Sequence, residues 1–401
     1  MFARVRPPSK SIRGAWWGTV VLFLVHGLVV STWVSRIPAV QTALKLSNGV
    51  LGLTLLSSAV GAITSIPVTG WLVSRFGSKR ISTLASILFC LSVALPAVAF
   101  NAISLSAGLF IFGAVAAAMD VSMNAQGVEV EKALAQPTMS RFHGMFSLGG
   151  MIGAGLGGLV AEHGWSVLPH FATSAGLNLL AVLFISPLLL DTHKPGPETT
   201  HRLPLNKIPR ELFALSAIGF CILLSEGAMA DWTAVYLKQV VHAGAGAAAA
   251  GYAVFSASMA IFRFLGDLIT ARLGPLLTVR TGSLVAAAGL LWALSMHSAN
   301  WALPGFAATG AGFSVIIPLV FGSGGRVESI NPGAGIATVT GIGYLGFIAG
   351  PPAIGFASQL FTLRYALGIV VTCCLVSAWL AGAMRSLARS SAGESAAEIH
   401  F

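Results

Sequence analysis

Residues 104–127 read SLSAGLFIFGAVAAAMDVSMNAQG, an uninterrupted apolar run whose one ionisable side chain is Asp120. A helix needs about 20 apolar residues to cross the hydrocarbon core of a bilayer. Eleven further stretches have the same character, at 16–35, 50–72, 81–100, 141–162, 166–190, 211–236, 248–270, 276–297, 300–322, 334–358 and 364–385. Together they fill nearly all of the 401 residues, of which 55% are hydrophobic and only 9% charged. The mean hydropathy is +0.84. In lipid every backbone polar group must be satisfied inside its own span, so each run is expected to be helical. The sequence therefore predicts an all-α membrane protein with 12 transmembrane helices.

The basic residues orient these spans. With the N-terminus placed in the cytoplasm, only Arg36, Lys45, Lys238 and Arg364 of the 23 Lys and Arg fall on the opposite side, and Arg263 lies inside a span. All the others collect on cytoplasmic segments. The positive-inside rule then puts both termini in the cytoplasm and agrees with an even number of spans. Anionic lipid at that face accounts for the net charge of +10, so no nucleic-acid partner is expected. No small-residue cleavage site follows the first apolar run, which is read as helix rather than signal peptide. Cys90, Cys221, Cys373 and Cys374 all fall within spans and read as packing thiols, with neither disulfides nor a metal site implied.

One long polar segment interrupts the middle of the chain, DTHKPGPETTHRLPLNKIPR at 191–210. Its prolines and charges suit a cytoplasmic linker between two six-helix halves, 1–190 and 211–390, with 391–401 as a disordered tail. Internal repetition supports the division. An offset of 197 residues aligns Arg75 with Arg272, Gly77 with Gly274, Gly144 with Gly341, Gly149 with Gly346, Gly153 with Gly350 and Gly158 with Gly355.

The loop after the second span, Gly70-Trp-Leu-Val-Ser-Arg-Phe-Gly-Ser-Lys-Arg80, resembles the G-x-x-x-[DE]-R-x-G-[RK]-[RK] signature of the major facilitator superfamily, with Ser74 in the acid's place. A degenerate partner follows the eighth span, from Gly266-Asp267 to Arg272-Leu-Gly274. The runs MDVSMNAQG (119–127), FHGMFSLGG (142–150) and EGAMADWTAVYL (226–237) are similar to the YbjJ-type, fucose-permease-like branch. The resemblance implies two pseudo-symmetric halves that alternate access to a central site, and an essential acid in the fourth helix.

Arg75, Arg80 and Lys79 are expected to gate the cytoplasmic end by weak contacts with helix C-termini and acids of the neighbouring bundle. Arg263 and Asp267, four residues apart, are expected to pair there and supply the missing acid. Gly149, Gly153 and Gly157, like Gly346 and Gly350, recur every fourth residue and let helix backbones approach closely. These seams are expected to be sliding surfaces between the halves. GAGLGG (153–158) and GIGYLG (341–346) satisfy G-x-G-x-x-G, but lying inside apolar spans they carry no dinucleotide site.

An ionisable side chain at bilayer depth costs at least about 2.5 kcal/mol, so each one is a candidate for function. Asp120, with Asn124 one turn on, offers a carboxylate and an amide on one helix face and is the leading candidate for exchanging a proton. Glu226, beside Gly227, is a second candidate for substrate or proton. His26 titrates near physiological pH in its unperturbed form. Trp33 and Trp232 can stack on a ring. Asp231 is expected to pair with Arg36 at an outer gate, and His143, beside Arg141, to serve the inner one. No H-E-x-x-H, paired Cys–His set or P-loop occurs, so no enzyme and no cofactor is expected. The expected function is proton-coupled symport of a small polar solute, such as a sugar, by a monomer in the bacterial inner membrane. The alternative is proton-driven efflux of hydrophobic or cationic compounds.

Overall fold

The computed structural model describes residues 10–136, 138–191, 209–327 and 330–383. Most of the expected linker 191–210 and the whole expected tail 391–401 lie outside the described residues. Twelve helical segments are long and apolar enough to cross a membrane. In chain order they are α1 (Ser11–Ala43), α2 (Asn48–Phe76), α3 (Ser78–Val98), α4 (Ala102–Leu134), α5 (Met139–Glu162) and α6 (Val167–Leu188). Then follow α7 (Arg210–Gln239), α8 (Ala245–Phe264), α9 (Gly266–Ser295), α10 (Ala299–Gly324), α11 (Pro332–Leu360) and α12 (Leu363–Leu380). No strand occurs among the described residues.

The packing repeats itself between the halves. α1 lies on α5 as α7 lies on α11; α2 meets α4 as α8 meets α10; α3 meets α6 as α9 meets α12. Adding six to each helix number reproduces the contact, as expected of a duplicated unit. The repeat extends to backbone conformation. Gly77 (φ 83°, ψ 150°) and Gly274 (φ 73°, ψ 161°) occupy the same positive-φ region at equivalent turns. A Cβ is strained there, which explains why both positions are glycine.

Prolines break two of the spans. The helix Lys10–Val34 stops and resumes at Ile37–Ala43, because the ring of Pro38 excludes a helical bond to the Val34 carbonyl. Pro318 does the same to Ser314, splitting α10 into Ala299–Phe313 and Ile316–Gly324. A third break corrects the expected boundaries of 248–270 and 276–297: α8 already ends at Phe264, and α9 starts at Gly266 and turns sharply at Gly274.

The halves meet along α5 against α8 and α2 against α11. The expected sliding seams lie elsewhere. A Cβ on Gly149 would strike the Leu24 carbonyl of α1, and one on Gly153 would strike Ser31. Equivalently, Gly346 lies on the Phe220 carbonyl of α7 and Gly350 near Leu224. Both stripes therefore weld helices inside a half. The small residues facing the other half are their neighbours: Gly150 against Ser256, Gly158 against Ala249, and Gly52 against Gly355. Apolar burial gives little drive between helices in lipid, so close backbone approach at such positions supplies much of the association.

Candidate functional site

The contact of α2 with α11 and of α5 with α8 leaves a cavity of about 270 Å³ between the halves. On one side it is lined from α1 (His26, Trp33), α2 and α4 (Phe112, Asp120), and on the other from α7 (Gly227, Asp231) and α11 (Tyr344, Phe347). Three of the residues singled out from sequence as substrate or proton sites, Asp120, His26 and Trp33, thus share one space, joined by Asp231. No lysine or arginine lines it among the described residues.

Each polar group in the wall is held by its own helix or a neighbour. Asn124 does not line the cavity; its Nδ2 donates to Asp120 Oδ1 at 3.1 Å and to the Asp120 carbonyl at 2.8 Å. That bond fixes one carboxylate oxygen and leaves the other for the cavity. His26 lies 3.2 Å through Nε2 from the Ala116 carbonyl. A carbonyl only accepts, so Nε2 carries the hydrogen and Nδ1, buried and without a partner, is the free acceptor of the neutral ring. The ring packs on Phe89 and Phe146, with centroids 5.0 and 5.4 Å away. Trp232 is fully buried and absent from the cavity wall, with its indole N–H unpartnered.

A second polar cluster lies beside the cavity. Arg263 on α8 approaches Glu226 on α7 to 3.6 Å, forming an ion pair. The same guanidinium donates to Ser147 Oγ at 2.9 Å and the His143 carbonyl at 3.5 Å, both on α5, and to the Ser314 carbonyl at 3.2 Å. The Ser314 carbonyl is available because Pro318 breaks α10 there. Arg263 therefore bridges the two halves. The expected pairing with Asp267 is replaced by Glu226: the helix stops between the two residues, and Asp267 is exposed at the start of α9.

The expected Arg36–Asp231 gate is not formed. Arg36 donates to the Trp165 carbonyl at 2.7 Å inside its own half, while Asp231 faces the cavity. That end of the molecule is closed instead by a ring of three amides. Gln41 donates to Asn48 Oδ1 (2.8 Å), Asn48 to Gln239 Oε1 (3.2 Å), and Gln239 back to Gln41 Oε1 (3.0 Å). Gln359 adds a bond to Ser47 Oγ at 2.9 Å. Gln41, Asn48 and Ser47 belong to one half, and Gln239 and Gln359 to the other.

At the opposite end the signature loop is tied into its own half. Arg75 lies over the rings of Trp71 and Phe76, at 5.4 and 5.6 Å. Lys79 donates to the Pro187 carbonyl at 3.0 Å, and Arg80 lines the same surface groove. Gln126, which no motif in the sequence marks, anchors this end. It donates to Ser78 Oγ (2.8 Å) and the Leu190 carbonyl (2.7 Å), and its own oxygen accepts from the Leu190 N–H (3.1 Å). Ser78 in turn donates to Glu129. This network locks the start of α3 and the end of α6 onto α4. His143 takes part in the Arg263 cluster through its backbone carbonyl, and its ring packs edge-on to Phe23 at 5.2 Å.

Residues 16–326 match the family model described as Major Facilitator Superfamily. The chain belongs to that superfamily. A relative 35% identical over 356 residues, covering 88% of this chain and 91% of its own length, is an uncharacterised MFS-type transporter of Yersinia pestis. Among solved structures, a bacterial homologue of the human lysosomal transporter Spinster, inward-facing and unoccupied, superposes with a TM-score of 0.72. It is 14% identical and covers 96% of this chain and 99% of its own. The major facilitator transporter FucP in its outward conformation gives 0.62 at 18% identity, covering 93% and 99%. This major facilitator chain thus has the family's fold and is a transporter by descent.

Proposed function

We propose that the protein moves a small polar solute across the bacterial inner membrane by alternating access, in symport with protons. The observation that carries this reading is the cavity itself: Asp120 and Asp231 face one small space at the junction of two pseudo-symmetric halves, where such carriers bind their solutes. The halves 1–190 and 211–390 are the moving bodies, with both termini in the cytoplasm as the basic loops indicate, and the chain acts as a monomer. Its amide-joined end is then the outer one. Asp120 serves as the proton carrier, oriented by Asn124. Glu226, Arg263 and His143 act at the interface rather than on the solute, and Trp33 and Tyr344 provide ring faces for it. FucP, the fucose:proton symporter of E. coli, is a structural neighbour consistent with this reading.

Efflux of bulky hydrophobic compounds fits less well. A volume of about 270 Å³ lies below the roughly 300–1,000 Å³ that enclose drug-sized ligands. The test is solute-driven proton movement in proteoliposomes carrying an internal pH dye. Polar solutes are added to wild type and Asp120→Asn. Solute-dependent acidification in the wild type that vanishes in the variant, with solute counterflow retained, supports symport. Acidification that persists in Asp120→Asn removes this residue from the coupling step, and proton-driven extrusion of hydrophobic cations would establish the efflux reading.

A further inference from the structure

We propose that the solute carries a positive charge: a small organic cation whose ammonium-type group is held by Asp120, Asp231 and the aromatic wall around them. This deepens the transporter reading above and rests on it. Three acids lie at bilayer depth near the junction of the halves. Glu226 has its counter-charge in Arg263, 3.6 Å away. Asp120 and Asp231 have none among the described residues. Among the described residues Asp120 accepts a side-chain bond only from the neutral amide of Asn124 and Asp231 accepts none, and both face the same cavity.

A carboxylate withdrawn from water is costly unless it is paired. Each of these two must therefore be neutralised by a proton or by a cation. Coupling to one proton accounts for one carboxylate. The other is matched by the solute. The rest of the wall agrees, because Trp33, Phe112, Tyr344 and Phe347 turn aromatic surface toward the same space, and aromatic faces attract cations. An anionic solute would meet the remaining like charge and no lysine or arginine. A neutral polyol would leave one carboxylate uncompensated.

Two matched triplets separate charge from shape: glucosamine, glucose and glucuronate; ethanolamine, ethylene glycol and glycolate. Thermal unfolding of the full-length protein in detergent, at fixed ionic strength, reads their binding. An amine is expected to raise the melting temperature by about 2 °C or more at saturation, its neutral and anionic counterparts to leave it unchanged, and Asp231→Asn to abolish the shift. Asp231→Glu, which keeps the charge, is expected to retain the preference and controls for folding. Equal stabilisation by a neutral member, or stabilisation by none of the amines, overturns the proposal. Proton-driven accumulation of a neutral member would sink the cationic solute and leave the transporter reading standing. An amine that binds but is never accumulated on any gradient would do the reverse.

Discussion

Arg263 and Asp120 mark the two limits of what single residues disclose in this chain. Asp120 is legible because an acid in an apolar run has no cheap explanation, and the structure brings it to the cavity. Arg263 is equally conspicuous in sequence, yet its partners are not, since they depend on the stop of α8 after Phe264 and on a carbonyl released at Ser314. Gln126 has no sequence signal beyond a polar side chain near a span's end, and it holds three elements together. The arginine's isolation in the bundle gives a clear expectation. Removing one partner of a buried pair costs about 3–5 kcal/mol because the other charge is stranded. Arg263→Met is therefore expected to lower the melting temperature strongly. Glu226→Gln combined with Arg263→Met should recover most of that loss, as the double variant leaves no orphan charge. Equal destabilisation by the single and double variants in thermal unfolding would show that the ion pair is not what Arg263 contributes.

Helices were the most legible scale, and their contacts the least. Length and hydropathy mark twelve spans, and the 197-residue offset anticipates the shared positive φ at Gly77 and Gly274. Glycine spacing also marked close packing correctly, but spacing alone does not say which neighbour a stripe faces. That depends on helix rotation, which tertiary packing sets. Gly149 turns to α1, whereas Gly150, one residue on, turns to α8. The distinction is measurable. Gly149→Ala would drive a methyl group into the Leu24 carbonyl, so α1 and α5 must separate, at a cost of about 1–3 kcal/mol. Gly155→Ala, on the same helix with open space around it, is expected to be neutral or stabilising by up to about 1 kcal/mol. Thermal unfolding of the two variants side by side decides it. Equal effects would mean that loss of helix flexibility, rather than interhelical clearance, governs both.

For the molecule as a whole, the two ends differ in what joins the halves, and this difference bears on how they move. One end is closed by neutral side chains: Gln41 and Asn48 against Gln239, with Gln359 on Ser47. Such bonds are directional but individually modest, at about 0.5–1.5 kcal/mol net each. They also carry no net charge, so opening that end requires no ion to be desolvated or released. Nearer the centre, Arg263 ties α5 to α7 and α8 through charge. Loss of Gln239 removes two bonds of the amide ring at once, about 1–3 kcal/mol in favour of the state open at that end, which is about 5- to 150-fold in the ratio of the two populations. Gln239→Ala is therefore expected to broaden and lengthen the distance distribution between spin labels at Thr42→Cys and Lys238→Cys, one in each half. The same change should make Asp231 more accessible from that side, read as faster modification of Asp231→Cys by a membrane-impermeant thiol reagent. If the distances and the labelling rate both stay at their wild-type values, the ring does not hold that end closed, and the packing of α2 on α11 through Gly52 and Gly355 must do so instead.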